Sequence, residues 1–332
     1  MMLVSALLIG VFALSLASTG WLSAYLRHRK VMDIPGERSS HAVATPRGGG
    51  LAIVAGVLAG TGLCLLLSIR IDNSMLMLLA GSVVLAGLSW VDDLKSLPPA
   101  LRFAAHAVIV ALTIPLLGLD GPVLPFDPPI WLDRLLLGLG WLGFLNFFNF
   151  MDGINGISIV ETAVIGAGII VLHAVLGTVG TDDLAIAILL AAGTGFGWWN
   201  WGAGKIFMGD VGSVFLGYLL GGYLILLAAD GYLAAALILP AYYLADATVT
   251  LTRRALRGER VWQAHRQHFY QRAVLAGRSH ATVSIAILLT GVVLIALAAA
   301  SLFFPIPALL LAVCLVAGFC LWLPRPDGYN AD

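Results

Sequence analysis

Long apolar runs alternate with short polar segments along the whole chain, and none of the runs shows the alternation of a strand. A membrane-spanning helix needs about 20 mostly apolar residues, whereas barrel strands alternate apolar and polar positions over about ten residues. The pattern predicts an all-α, polytopic helical membrane protein with about 10–11 transmembrane helices. The candidate spans are approximately 3–25, 49–69, 75–90, 101–118, 131–148, 157–177, 184–201, 211–229, 232–251, 281–301 and 306–323.

The composition of the chain agrees with a membrane protein. Of 332 residues, 60% are hydrophobic and only 11% are charged, against about 25% charged in soluble domains. The 18 basic residues balance the 18 acidic ones, so the basic footprint of a nucleic-acid-binding protein is missing. These values exclude a soluble enzyme and a disordered chain, and they predict one integral membrane domain over 1–332 in contact with membrane lipids.

Basic residues set the expected direction of the spans. Arg27, Arg29 and Lys30 follow the first run, whereas a secretory signal carries its positive charges in front of the apolar run. The first run is therefore expected to stay as a span with its N-terminus outside. The positive-inside rule then places all Lys and Arg except Arg70 and Arg134 inside. The predicted cytoplasmic loops are about 27–48, 91–100, 149–156, 202–210 and 252–280.

Carboxylates stand at the predicted inner ends of two spans. An aspartate at a span centre costs roughly 2.5–3.5 kcal/mol on insertion scales, so each one needs a reason. Asp92 and Asp93 in W-V-D-D-L-K indicate a general base or a site for a metal-bound phosphate, or alternatively a solvated helix end. Asp210, in F-M-G-D-V-G-S, suits either a Mg²⁺ ligand beside substrate phosphates or the cap of the following helix.

A third polar motif is N-F-F-N-F-M-D-G-I-N-G, in which Asn149, Asp152 and Asn155 recur every third residue. Amides and a carboxylate at the mouth of two spans suit a nucleotide or another hydroxyl-rich ligand. Asn200 adds a further amide at the same boundary. The alternative is a polar re-entrant turn without a ligand.

Two basic segments are predicted on the same side of the membrane. H-R-Q-H-F-Y-Q-R contains His265, Arg266 and His268, and R-S-S-H-A-V-A-T-P-R-G-G-G contains Arg47. Arginine and histidine can hold a diphosphate through charge-assisted hydrogen bonds, or they can simply anchor the protein to anionic lipid. Asp246 is expected to have a structural role, paired with Arg253 or Arg254.

The predicted topology brings these motifs to one membrane face. Transporters usually place polar residues near the bilayer midplane, beside broken helices, whereas here they stand at helix ends. This arrangement favours an enzyme acting at the membrane surface over a transporter. The residues predicted to meet there are Asp92, Asp93, Asp152, Asp210 and His265.

Four motifs taken together resemble those of the polyprenyl-phosphate N-acetylhexosamine-1-phosphate transferases, glycosyltransferase family 4. In chain order they are D-D, N-F-x-D-G-x-N-G, F-M-G-D-x-G-S and a histidine-bearing loop. The resemblance runs from about residue 33 to 272. The family includes the phospho-N-acetylmuramoyl-pentapeptide translocase and the undecaprenyl-phosphate N-acetylglucosamine-1-phosphate transferases. The F-M-G-D-x-G-S and N-x-x-D-G-x-N-G elements are specific, whereas D-D alone is not.

The resemblance implies that a UDP-N-acetylhexosamine gives its sugar-1-phosphate to undecaprenyl phosphate, with release of UMP. It also implies a requirement for Mg²⁺, with Mn²⁺ as a substitute, and is compatible with a homodimer. The implied metal ligand is Asp210. By match to the family motifs, the implied catalytic residues are Asp92, Asp93, Asp152 and His265, and the implied substrate-binding residues are Asn149, Asn155, Asn200, Arg47, Arg266 and His268.

Two departures narrow the branch of the family. The translocase carries three consecutive histidines in its late loop, whereas this chain has His265-Arg266-Gln267-His268. The translocase also has a lysine in its early loop, before T-P-T-M-G-G. This chain has no lysine there, and Arg47 is the candidate replacement for that charge. The strings look most like the O-antigen-initiating branch, whose donors carry N-acetylglucosamine, N-acetylfucosamine or N-acetylquinovosamine. The expected location is the bacterial inner membrane with a cytoplasmic active site. The competing hypothesis is a transporter or flippase for a lipid-linked or anionic substrate.

Overall fold

The computed structural model describes residues 2–35, 43–263 and 265–324. Part of the early basic motif, residues 38–42, and Arg325 lie outside them. The described residues form a helical bundle with one short ribbon, β1 (Met32–Asp33) and β2 (Thr45–Pro46). The helices are α1 (Met2–His28), α2 (Gly50–Leu66), α3 (Asn73–Lys95), α4 (Pro99–Thr113), α5 (Ile130–Met151), α6 (Ile157–Leu176), α7 (Thr181–Asn200), α8 (Asp210–Leu227), α9 (Leu233–Ile238), α10 (Ala241–Leu256), α11 (Phe269–Leu275), α12 (His280–Ala300) and α13 (Pro305–Trp322).

The prediction of a polytopic helical membrane protein is confirmed. Among the described residues, eight helices are long and apolar enough to cross a membrane. By length and composition alone, α8 and α9 count together as one of these eight, and α2 is a shorter apolar helix. Each of the eleven runs predicted from the sequence coincides with a helix or a pair of helices.

The ninth predicted run, 232–251, is built from two helices instead of one. Gly231 has a left-handed φ of +94° between α8 and α9, and Pro240 separates α9 from α10. Asp210 at the start of α8 and Leu251 near the end of α10 line the same cavity. The chain therefore crosses the bundle twice between these two residues, and α9 with α10 forms the return crossing.

Helix α8 is the centre of the bundle, since nearly all of its residues from Val211 to Leu227 are buried. It packs mainly against α3 and α5, and also against α2. At the contact with α2, a side chain on Gly50 would collide with the backbone of Gly212, and small residues allow such close approach of helices in membranes. Trp141 Nε1 on α5 donates to the Tyr218 carbonyl of α8 at 2.9 Å.

The short ribbon carries the early basic segment to the start of α8. Strand β1 pairs antiparallel with β2, and Arg47 forms a bridge with Phe207. Phe207 N donates to the Pro46 carbonyl at 2.8 Å, and Gly49 N donates to the Phe207 carbonyl at 2.8 Å. Backbone hydrogen bonds thus place Arg47 beside the segment that leads into α8.

Candidate active site

A cluster of carboxylates and arginines lies where α3 ends and α8 begins. Arg47 Nε contacts Asp93 Oδ1 at 2.8 Å, and Arg47 Nη2 contacts Asp210 Oδ1 at 2.9 Å. Arg102 Nη1, from the first turns of α4, contacts Asp92 Oδ2 at 2.8 Å and Asp210 Oδ2 at 3.1 Å. Each oxygen of Asp210 therefore faces a different guanidinium group.

Asp93 holds the first turn of α8. Its Oδ1 accepts from Asp210 N and its Oδ2 accepts from Val211 N, both at 3.1 Å. Free N–H groups at a helix start are common anion sites, and this side chain is fully buried. Gly209, at φ +74°, leaves room for the carboxylate, because a Cβ there would collide with Asp93 Oδ2. Asp93 and not Asp210 is therefore the residue that caps α8.

A polar cavity of about 270 Å³ opens beside the cluster. Asp152, in the turn after α5, lies on its wall and accepts from Ser158 Oγ at 2.6 Å. Burial raises the pKa of Asp152 to about 7, against the opposing effect of the Ser158 hydrogen bond. The lining residues are Asp33, Arg47, Asn149, Asp152, Gly153, Ile154, Asn155, Asn200, Phe207, Met208, Gly209, Asp210, Gln271 and His280.

Two of the predicted amides build the wall of this cavity. Asn200 Oδ1 accepts from Gly156 N at 2.7 Å, while its Nδ2 donates to the Ile206 carbonyl at 3.0 Å. Asn155 Nδ2 donates to the Gly202 carbonyl at 2.7 Å. These bonds tie the 152–156 turn to the segment before α8. Both amides therefore line the cavity and also hold its backbone in place.

A larger, mostly apolar cavity of about 710 Å³ lies on the other side of the cluster. It shares two lining residues with the polar cavity, Asn149 and Asp210. The apolar cavity is lined by Ser89, Asp92, Pro98, Pro99, Ala100, Arg102, Phe103, His106, Leu142, Gly143, Asn146, Phe147, Asn149, Phe150, Asp210, Val214, Leu251, Val261 and Trp262.

The histidine segment is organised by Asp246, which is completely buried on α10. Asp246 Oδ1 lies 2.8 Å from His268 Nδ1 and also accepts from Phe269 N at 3.1 Å. The structural role expected for Asp246 is thus observed, but the expected partner was wrong, because Arg254 pairs instead with Glu259 at 2.8 Å. A buried carboxylate that accepts backbone N–H groups orders the start of α11.

His265, Arg266 and His268 are not among the residues that line either cavity. The rings of His265 and His268 lie 4.8 Å apart, and His268 is only 1% exposed. Burial, with the nearby His268 and Arg254, lowers the pKa of His265 to about 4. The imidazole of His265 is therefore neutral at pH 7, and the roles in the reaction predicted for His265, Arg266 and His268 stay predictions.

Sequence reasoning missed several residues of the site. Asp33, Gln271 and His280 line the polar cavity, and Arg102 bridges two carboxylates. A usable signal existed only for Arg102, which is a cation close after the D-D motif at the polar start of a predicted span.

The fold and the site define a polytopic helical membrane protein whose charged residues converge at helix ends. The family model for glycosyl transferase family 4 matches residues 75–228, which include Asp92, Asp93, Asp152 and Asp210 but not Arg47 or the histidine segment. Over this segment the chain is similar to glycosyl transferase family 4.

Named relatives agree with that similarity. The Bacillus subtilis protein named "probable undecaprenyl-phosphate N-acetylglucosaminyl 1-phosphate transferase" is 28% identical over 271 residues, 78% of this chain and 74% of its own. The decaprenyl-phosphate N-acetylglucosaminephosphotransferase of Mycobacterium leprae is 27% identical, over 94% of this chain and 88% of its own. A phospho-N-acetylmuramoyl-pentapeptide-transferase of Nocardia farcinica is 56% identical over 45 residues, 12% of this chain and 13% of its own.

Proposed function

We propose that this protein transfers N-acetylhexosamine-1-phosphate from a UDP-sugar to undecaprenyl phosphate and releases UMP. The observation that carries the proposal is the junction of a polar and an apolar cavity at Asn149 and Asp210. A reaction between a nucleotide sugar and a lipid phosphate needs one site for each and a shared point where they meet. The names of the two long relatives, which act with polyprenyl phosphates, support the same reaction.

The polar cavity is assigned to the nucleotide sugar. Arg47 lies on its wall with about a third of the side chain exposed, so the guanidinium can turn from the carboxylates toward phosphate oxygens. Arginine forms bidentate bonds with phosphate that position it as well as neutralise it. Asn149, Asn155 and Asp152 present amide and carboxyl groups to the hydroxyl-rich part of the donor.

The apolar cavity is assigned to the lipid, with its phosphate beside Arg102. Phosphoryl transfer depends on positioning and charge neutralisation more than on a reactive side chain. By analogy with phosphoserine, the acceptor phosphate has a second pKa near 6 and is mostly ionised at pH 7, so no strong base is required. An oxygen of the acceptor phosphate attacks the β-phosphorus of the donor, and the bond from that phosphorus to the UMP oxygen breaks.

The donor set at the junction fits a magnesium ion. Mg²⁺ prefers oxygen ligands and is usually held by one or two carboxylates together with substrate phosphates. Asp210 and Asp92 offer such oxygens, and the described part of the chain has no cluster of three or more metal-binding side chains that would hold an ion alone. Mg²⁺ or Mn²⁺ bound there would supply neutralisation of phosphate charge, and Asp210 is the proposed principal ligand.

The setting proposed for this reaction is the bacterial inner membrane, with the active site on the cytoplasmic face and the N-terminus outside. The distribution of basic residues supports that direction. The proposed donors are UDP-N-acetylglucosamine and its 6-deoxy relatives, and the proposed pathway is the start of lipid-linked O-antigen or another envelope polysaccharide. The R-S-S-H and H-R-Q-H motifs support this branch.

The decisive test is UMP release by the purified protein with undecaprenyl phosphate, Mg²⁺ and a panel of UDP-N-acetylhexosamines. We expect UMP only when lipid, metal and a suitable donor are all present, and none with Asp210→Asn. If the folded protein releases no UMP from any donor but moves a lipid-linked substrate across vesicles, the transferase proposal is overturned in favour of transport.

A further inference from the structure

The face of α4 that lines the apolar cavity carries two polar side chains, Arg102 and His106. They are four residues apart and therefore lie on the same side of the helix. Arg102 uses Nη1 for Asp92 and Asp210, but its Nε is buried and has no hydrogen-bond partner among the described residues. His106 is only 4% exposed. Buried polar atoms are nearly always paired, so this face needs an explanation.

Asn146, on α5, determines which nitrogen of the His106 ring carries the hydrogen. Its Nδ2 donates to the Leu142 carbonyl at 2.7 Å, so its Oδ1 is the atom that faces His106 Nδ1, at 3.2 Å. An amide oxygen accepts but does not donate. Nδ1 therefore carries the hydrogen, and the neutral ring keeps a lone pair on Nε2. Nε2 makes no hydrogen bond with any residue that the structure describes.

The two open positions on α4 differ in kind. Arg102 Nε is a donor and requires an acceptor oxygen, whereas Nε2 of the neutral His106 ring is an acceptor and requires a hydrogen. A phosphate monoester with one proton offers both, an ionised oxygen and a P–OH group, while an alcohol has no ionised oxygen. The Arg102 side chain is 35% exposed, so its guanidinium group can turn toward such a ligand. Leu142, Phe147 and Val214 on the wall suit a hydrocarbon chain.

The neighbouring carboxylates do not fill the open position on His106. Asp92 and Arg102 are the charged groups within electrostatic range of the ring. Asp92 Oδ1 accepts from Leu97 N at 2.6 Å, and its Oδ2 accepts from Arg102. Asp210, which lines the same cavity from α8, has a guanidinium group at each oxygen. The hydrogen that Nε2 lacks is therefore left for a ligand to bring.

We propose that His106 binds the acceptor phosphate together with Arg102, with His106 Nε2 and one phosphate oxygen sharing a proton while Arg102 donates to another oxygen. The shared proton is that of the P–OH group of the lipid monoanion. When it lies on Nε2, the ring is positive and the phosphate is doubly ionised. Asn146 is then a positioning residue, because it acts only through the ring. This inference rests on the proposed function, since it takes the lipid phosphate as the ligand of the apolar cavity.

The first test measures binding at pH 6.5 by calorimetry, without donor or metal, using farnesyl phosphate and farnesol as short probes. His106→Phe should weaken binding of farnesyl phosphate about tenfold, the usual effect of losing a hydrogen bond to a charged group. Farnesol should bind within about twofold of wild type, which also shows that the cavity is intact. His28→Phe, at an exposed position in the last turn of α1, is the control. Equal weakening for both probes would show a packing role and overturn the proposal.

The second test follows the shared proton. A phosphate monoester has a second pKa near 6 and an imidazole is neutral at pH 8, so at high pH neither partner brings the proton. The tenfold advantage of wild type over His106→Phe in binding farnesyl phosphate should therefore fall to about twofold or less at pH 9. An advantage that stays constant from pH 6.5 to pH 9 contradicts a shared proton.

The role of Asn146 has its own pair of variants. Asn146→Asp keeps an acceptor oxygen for Nδ1 and should retain the preference for farnesyl phosphate over farnesol, whereas Asn146→Leu should lose most of it. Loss of the preference in neither variant would show that Asn146 does not orient the ring.

These measurements separate the failure of this inference from the failure of the proposed function. If the wild type releases UMP but His106→Phe keeps the full preference for phosphate over alcohol, only the assignment of His106 is overturned. If the wild type binds farnesyl phosphate through His106 yet releases no UMP from any donor, the phosphate site stands and the transferase proposal fails.

Discussion

The two cavities share two lining residues, Asn149 and Asp210, but the rest of their walls comes from different parts of the structure. The polar cavity is walled by loop backbone, which Asn155 and Asn200 fasten with their amide groups. The apolar cavity is walled by side chains of α4 and α5 and by Trp262. Under the proposed function, the donor and the lipid are recognised by two different surfaces while the reacting groups lie at the common edge of the two cavities.

Each cavity also has its own arginine. Arg47 lines the polar cavity and Arg102 lines the apolar one, and both contact Asp210. Asp210 is thus the residue that joins the charged groups of the two cavities. Changes at Asp210 should damage both sites, whereas changes farther into either cavity should damage only one.

The largest effect is expected for Asp210→Asn. Removing this carboxylate takes away the proposed metal ligand and the partner of both arginines, so kcat for UMP release should fall by about 10³-fold or more. Asp120→Asn, at an exposed loop position, is the matched control and should behave as wild type. Near-normal turnover in Asp210→Asn would break the assignment of Asp210 as the junction.

The arginines should separate the two substrates. Arg47→Met should raise KM for the UDP-sugar about tenfold or more and leave KM for the lipid nearly unchanged, because a charge-assisted bond to phosphate contributes at least 1.4 kcal/mol. Arg102→Met should do the reverse. Equal effects of both variants on both KM values would mean that the cavities are not divided between donor and acceptor.

A glycine on α5 offers a test of the apolar cavity alone. A side chain at Gly143 meets open space and projects where the cavity lies, whereas Gly140 is equally open but does not line it. Gly143→Leu should raise KM for undecaprenyl phosphate several-fold, by filling cavity volume, and Gly140→Leu should not. The change is measured at saturating UDP-sugar, and an equal rise in both variants would argue against the lipid assignment.

The smallest effect concerns stability. The pKa of Asp152 is raised from 3.8 to about 7, so the folded state prefers the protonated acid. Its stabilising effect is complete below pH 3.8 and is lost as the pH rises through 7. Asp152→Asn should therefore raise the thermal midpoint by a few degrees at pH 8 and by less at pH 5. A larger gain at pH 5 than at pH 8 would contradict the buried state of this acid.

The helices could be predicted because each span carries its own signal in a continuous apolar run. The assignments inside the site could not, because they depend on distant partners. Asp210 could have been the cap of α8, but that role belongs to Asp93, 117 positions earlier in the chain. Arg102 contacts Asp210 although the two residues are 108 positions apart. The sequence around either residue does not indicate that contact.

Asp246 also shows why the prediction stopped where it did. Asp246 was assigned the nearest arginines in sequence, yet the fold turns α11 back so that His268 reaches it. Side-chain partners set by packing between elements are visible only after the elements are placed.

The bond from Asp93 to the start of α8 also has a consequence for how the protein is made. A chain that enters the membrane helix by helix has α3 in place long before α8 is synthesised. The first turn of α8 is completed only when it docks on the Asp93 carboxylate. A chain arrested before α8 therefore lacks the contact between Asp93 and α8, and the two cavities can meet only in the fully inserted protein.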